Sequence, residues 1–259
     1  MLTKNIRLKK FGIKNNKNKI KLNLLSNLVS LKDHKLIRSF SKDYAFDFSE
    51  VQIKKFKKFQ NYNLIGMGGS SLGSKAIYNF LKPKIKKKFT FTDNLNSIKN
   101  NKKNSQSLNI IISKSGNTLE TISNYSTLKG KKNNLFICEN SNNYIKLLAN
   151  KLKCEIINHK NYIGGRYSVL SEVGMLPAIF MGFKPEKFKK INNLIKNKKF
   201  INSLIDSVIS IKYFLNKKRF NSIILNYDEL SHDLFAWYQQ LVAESLGKNS
   251  KGVLPLISS

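Results

Sequence analysis

Between residues 62 and 157, short apolar runs alternate with helix-length stretches, and this alternation restricts the fold more than any other feature of the chain. Residues 62–65, 88–92 (KFTFT), 108–112 (LNIII), 135–138 and 154–157 each have the length and composition of a strand. The third run reads as a strand buried on both faces of a sheet. Between the runs, residues 72–81 read as a helix stopped by Pro83. A second helix begins near Asn117, and residues 141–151 read as a third. Strands joined through helices pair in parallel, so the expected fold is α/β, a three-layer αβα lobe around a parallel sheet. Ligands of such sheets bind in the loops at the carboxyl ends of the strands.

The rest of the chain divides around this unit. Residues 1–58 are lysine-rich, with Leu22, Leu24, Leu25, Leu28 and Leu31 at spacings that suggest one or two short helices in a peripheral N-terminal arm. Residues 59–170 make the first lobe. Residues 171–219 carry no strand signal and read as a helical connection. The strand pattern returns at 222–225 (SIIL), followed by a long helix over 229–246 and a run at 252–256 that opens another strand. Residues 220–259 therefore read as the incomplete beginning of a second, similar lobe.

Composition excludes several classes. The net charge of +32 invites a nucleic-acid reading, yet of 47 basic residues only Arg7, Arg38, Arg166 and Arg219 are arginine. Bidentate recognition of bases and phosphates leans on arginine. The lysines are spread along the whole chain among asparagine, isoleucine and phenylalanine, the usage expected of an AT-rich genome. No nucleic-acid partner is expected. No apolar run approaches a membrane span, and the N-terminal stretch has no apolar signal core, so no membrane partner is expected either. Cys138 and Cys154 alone cannot form a disulfide framework or a four-thiolate site, which fits a reducing cytoplasm. His34, His159 and His232 lie far apart without metal-ligand spacing, and no metal is expected.

Four segments have the residue types for chemistry. Gly66-Met67-Gly68-Gly69-Ser70-Ser71-Leu72-Gly73 follows the first strand, where glycines let backbone N–H groups approach an anion. A dinucleotide fingerprint needs glycine in place of Ser71. A nucleotide P-loop needs Gly-Lys-Ser/Thr where Gly73-Ser74-Lys75 stands. Both patterns fail, and a structural turn remains open. Ser113-Lys114-Ser115-Gly116-Asn117-Thr118-Leu119-Glu120-Thr121 follows the third strand. An N-cap needs one hydroxyl and this segment has four, a density suited to a phosphate monoester. Gly164-Gly165-Arg166-Tyr167-Ser168 places a scarce arginine after the fifth strand, where it could meet developing negative charge or be an ordinary loop residue. Gln240 and Glu244, four apart on one helix face before Gly247, could supply a general base or lie on a surface helix.

In order and separation, these four segments resemble the glucose-6-phosphate isomerase family. The matching stretches are GMGGSSLGSKA from Gly66, SKSGNTLET from Ser113, GGRYSVLSEVGMLPA from Gly164 and QQLVAESLGKNSKG from Gln239. The resemblance runs from about residue 60 onward and implies two sugar-isomerase (SIS) lobes with the site between them. It implies that Ser113, Ser115, Thr118 and Thr121, with the Lys114 backbone, hold a sugar phosphate, and that Gly69 and Ser70 line the sugar site. Gln240 would position the substrate, Arg166 would stabilise an enediolate, and Glu244 would move a proton between carbons one and two. No cofactor is implied. The family forms a homodimer when full length, with a ring-opening histidine from the neighbouring subunit and a lysine near the C-terminus. Neither segment is present in this chain, which is expected to be truncated and to isomerise poorly or not at all on its own. The alternative expectation is a non-catalytic sugar-phosphate-binding module of the same fold.

Overall fold

A computed structural model describes residues 18–30, 34–95, 106–128, 133–190, 197–248 and 251–258. Of the lysine-rich N-terminal segment, residues 1–17 and Leu31 lie outside the described residues. Five strands form one parallel sheet: β1 (Asn61–Ile65), β2 (Lys88–Thr92), β3 (Ser107–Ile112), β4 (Asn134–Glu139) and β5 (Glu155–His159), in the spatial order β2-β1-β3-β4-β5. The expected α/β class with a parallel sheet is what the chain adopts. The order reverses between β1 and β3, and the loops leaving those two strands flank the crevice where doubly wound sheets place their ligands.

Period-two alternation divides the core between the two faces of the sheet. Leu108, Ile110, Ile112, Leu135 and Ile137 pack on one face, while Ile65, Ile111, Phe136 and Cys138 pack on the other. The first face is covered by α3 (Glu50–Lys54), α4 (Leu72–Phe80) and α7 (Glu172–Phe180), which contribute Ile53, Tyr78, Val173, Leu176 and Phe180. Tyr62 stacks on Phe89 at 4.6 Å and on Phe180 at 5.3 Å, and its hydroxyl donates to the Phe56 carbonyl. Burying each such side chain stabilises the fold by roughly 1.5–3 kcal/mol. The second face is covered by α5 (Leu119–Ser126) and α6 (Tyr144–Lys151), through Tyr125, Ile145 and Ala149. Buried Asn109 is satisfied within a cross-strand ladder: it accepts from Asn63 at 3.0 Å and donates to Asn134 at 3.0 Å.

Ahead of β1 lie α1 (Asn18–Ser30), α2 (Lys35–Arg38) and α3. A capping box starts α3, with the Gln52 N–H bonded to Ser49 Oγ and the Ser49 N–H to Gln52 Oε1. After α7 come α8 (Pro185–Phe188) and α9 (Lys198–Asn216), then β6 (Asn221–Leu225), α10 (His232–Leu246) and β7 (Leu254–Ser258). β6 and β7 pair in parallel as a separate two-stranded sheet. No residue of α10 is fully buried, Trp237 included. Among the described residues, no helix is long and apolar enough to cross a membrane.

Candidate active site at the carboxyl end of the sheet

Three of the four segments meet in one place. The loop after β1 turns through a 3-10 helix at Gly68–Ser70 and leads into α4, and the loop after β5 turns through another at Gly165–Leu170. They touch backbone to backbone, since a Cβ on Gly69 would stand 2.4 Å from the Gly165 carbonyl carbon and 2.8 Å from the Arg166 nitrogen. Only glycine permits that approach. Ser168 fastens the two loops by donating to the carbonyls of Gly69 at 3.2 Å and Gly165 at 2.7 Å. Helix α10 closes the third side. A Cβ on Gly68, whose φ is +54°, would come within 2.6 Å of Gln240 Nε2.

Arg166 and Glu244 form the centre of this junction. Arg166 Nη1 donates to Glu244 Oε2 at 2.9 Å, and Gln240 Nε2 donates to Glu244 Oε1 at 2.8 Å. Gln240 and Glu244 are one helical turn apart, so one face of α10 delivers both groups. Burial pushes the Glu244 carboxyl up, but the bonds from Arg166 and Gln240 outweigh it and hold the group below the usual carboxylate range. Glu244 is therefore ionised at neutral pH. Arg166 Nε and Gln240 Oε1 are buried without a protein partner, leaving a donor and an acceptor for a polar ligand.

The hydroxyl-rich segment lies beyond β3, next to β1 in the sheet. Thr118 is the N-cap of α5, but its side chain makes no capping bond and pairs instead with Ser113 Oγ at 2.8 Å. The helix begins at Leu119 rather than near Asn117, because residues 115–117 form a loop in which Ser115 Oγ accepts from the Asn117 N–H at 3.3 Å. Thr121 Oγ1 is buried with no protein partner. The Lys114 side chain turns away to the Asn161 carbonyl at 3.0 Å and to Glu139 at 3.3 Å, so only its backbone faces the segment's own loop. None of these hydroxyls is used in capping the helix. Their bonds run within the segment, whereas the other three segments bond or pack directly against one another.

Sequence reading passed over Tyr167, whose hydroxyl bonds Ser245 Oγ at 2.9 Å and ties the arginine loop to α10 a second time. Nothing in the sequence marks a pair 78 residues apart. A separate open depression of about 430 Å³ lies at the other end of α10, lined by Asn226, Tyr227, Asp228, Glu229 and His232. Two carboxylates suit it poorly to an anionic ligand, and it shares no residue with the four segments.

Residues 25–253 match the family described as Phosphoglucose isomerase. The chain belongs to that family. Among curated relatives it is 32% identical over 254 residues to the glucose-6-phosphate isomerase of Methanocaldococcus jannaschii, covering 91% of this chain and 62% of that protein. With the glucose-6-phosphate isomerase of Campylobacter jejuni it shares 30% over 216 residues, 76% of this chain and 52% of the other. The chain thus spans about half to three fifths of the length of these relatives. Among solved structures it superposes on a hypothetical protein of Thermus thermophilus with a TM-score of 0.74 at 20% identity, over 93% of this chain and 64% of the other. It also superposes on a tagatose-6-phosphate ketose/aldose isomerase of Escherichia coli, with a TM-score of 0.55 at 14% identity over 93% and 64%. Both share its fold.

Proposed function

We propose that the chain carries the base and the phosphate cradle of an aldose–ketose isomerase interconverting glucose 6-phosphate and fructose 6-phosphate. Glu244 takes the proton next to the carbonyl and returns it to the neighbouring carbon. Arg166 leaves Glu244 to stabilise the enediolate oxygen that forms. Ser113, Ser115, Thr118, Thr121 and the Lys114 backbone receive the phosphate, Gly69 and Ser70 line the sugar, and Gln240 orients it. Freed from Arg166, the Glu244 carboxylate becomes more basic when it must accept a proton.

The observation that supports this reading is the 2.9 Å contact between Arg166 and Glu244, on the loop after β5 and on α10. A base and a cation for the resulting oxyanion are the two groups that enolisation requires. Orphaned polar atoms on Arg166, Gln240 and Thr121 agree with a polar ligand reaching all three. The reading includes a homodimer for the full-length protein and a cytoplasmic location. Incubation with fructose 6-phosphate, coupled to a dehydrogenase specific for glucose 6-phosphate, tests it. Where the wild-type chain forms product, Glu244→Gln should form at least about 100-fold less, and equal measurable rates would remove Glu244 from the chemistry.

A further inference from the structure

None of the fifteen residues of the helix that carries Glu244 is fully buried, and most of its apolar side chains are half-buried where it packs on α4 and β7. Its N-terminal end is also held by polar contacts. Asn79 Nδ2 on α4 donates to Asp233 Oδ2 on α10, and Lys75 Nζ lies 3.7 Å from Asp233 Oδ1. Lys75 also reaches Asp93, just after β2, at 3.1 Å. Lys75 and Asn79 are one turn apart on α4 and present one face to α10. The Asp233 side chain is only 16% exposed, so these bonds are shielded from competing water.

The spacing along the helix gives this cluster a consequence at the site. Asp233, Gln240 and Glu244 stand at i, i+7 and i+11, a single stripe of an α-helix spanning about 16 Å. At one end of the stripe Asp233 meets the last turns of α4. At the other end Gln240 abuts Gly68, just ahead of α4, and Glu244 meets Arg166. The two helices therefore run in opposite directions, joined at both ends of one stripe.

We infer that Asp233, with its partners Asn79 and Lys75, is a positioning residue that fixes the rotation and axial register of α10 and so places Glu244 against Arg166. The inference rests on Glu244 as the base, but its geometric content stands independently of catalysis. Without the pin, α10 turns or slides on its half-exposed apolar face, and Glu244 loses its contact with Arg166. A displacement of about 1 Å suffices to impair a reacting group.

The test is the titration of the Glu244 carboxyl, followed by NMR in protein labelled with [13C]glutamate and assigned against Glu244→Gln. Asp233→Ala should move the Glu244 midpoint upward, toward the ordinary carboxylate range. Losing a negative charge would by itself move it downward, so the sign separates repositioning from simple electrostatics. Asn79→Asp, which sets two carboxylates face to face, should move it upward as well. Adding Asp233→Asn to that variant restores an amide–carboxylate pair and should return the midpoint to the wild-type value. Glu229→Ala, ahead of the same helix, should leave it unchanged. An unmoved midpoint in folded Asp233→Ala overturns the inference, and so does failure of the folded Asn79→Asp/Asp233→Asn pair to restore it. Neither result needs a sugar phosphate to bind or turn over, so the pin and the isomerase assignment can fail separately.

Discussion

Arg166 and Glu244 stand 2.9 Å apart across 78 residues of sequence, the first on a loop of the five-stranded unit and the second on the helix between β6 and β7. Both side chains are partly exposed, so the pair adds at most about 1 kcal/mol to stability. A pair that weak separates readily, which suits the proposed transfer of Arg166 from a carboxylate to a developing oxyanion.

The acid limb of the reaction should follow. Because Arg166 and Gln240 hold the Glu244 carboxyl of the free protein below its usual range against the effect of burial, kcat/KM should persist into acid and fall only as pH drops through that lowered pKa. Gln240→Met removes one of the two donors. Its pH–rate profile should show the acid limb displaced to higher pH, and an unmoved limb would mean that Gln240 does not act on Glu244.

Thr121 offers a test of the phosphate cradle that leaves the fold alone. Its hydroxyl has no protein partner, so Thr121→Val should leave the denaturation midpoint within about 0.5 kcal/mol of wild type. Binding of fructose 6-phosphate should weaken by roughly 10- to 100-fold, the loss expected for a hydrogen bond to a charged group. Calorimetric titration of both proteins measures this. Unchanged affinity would remove Thr121 from the site.

Gly69→Ala should damage stability and site together. Its methyl group would press on the Gly165 carbonyl and the Arg166 nitrogen, both backbone atoms, and relieving the clash means parting the two loops. A loss of about 1–3 kcal/mol in urea unfolding is expected, with weaker sugar-phosphate binding beside it. Retention of both would show that the loops separate at no cost.

Buried charge away from the site has its own pH signature. Lys189 is almost wholly buried, with Nζ 4.2 Å from the Tyr44 ring and 4.3 Å from the Phe46 ring. Burial pushes its pKa down to about 8, against the pull of Glu172 and Glu186. The unfolded chain keeps that proton up to about pH 10.4, so between the two values it binds more protons than the folded chain, and stability rises with pH. Lys189→Met lacks this dependence. Its advantage over wild type, on the order of 3 kcal/mol at most near pH 7, should shrink as pH rises from about 8 to 10. Urea unfolding at several pH values checks this, and a constant difference would show that the amine is not destabilised by burial.

The strands were legible because β3 and β4 are covered on both faces, which demands runs such as LNIII and LFIC. The hydroxyl loop and the scarce arginine were legible for the same local reason, since their chemistry is concentrated in a few adjacent residues. What sequence could not show was long-range partnership. Ile53 enters the core from a lysine-rich segment with no periodic pattern to announce it. Glu172, inside an otherwise apolar helix, is fully buried because Tyr44 and the Asp47 N–H, more than 120 residues earlier, reach both of its oxygens. The junction of Arg166, Gly69 and Gln240 is likewise set by where two loops and a helix converge, and no spacing in the chain encodes that.

The most direct measurement is deuterium incorporation into fructose 6-phosphate at carbon one, followed by NMR in D2O with calorimetric binding alongside. The open-chain ketose present in solution needs no ring-opening group, so exchange reports proton abstraction alone. The chain should catalyse exchange, and Glu244→Gln should bind fructose 6-phosphate within about threefold of wild type while exchange falls by at least about 100-fold. Exchange at the wild-type rate in Glu244→Gln would contradict the assignment of the base, and binding without any exchange by the wild-type chain would contradict catalysis and leave a sugar-phosphate-binding module.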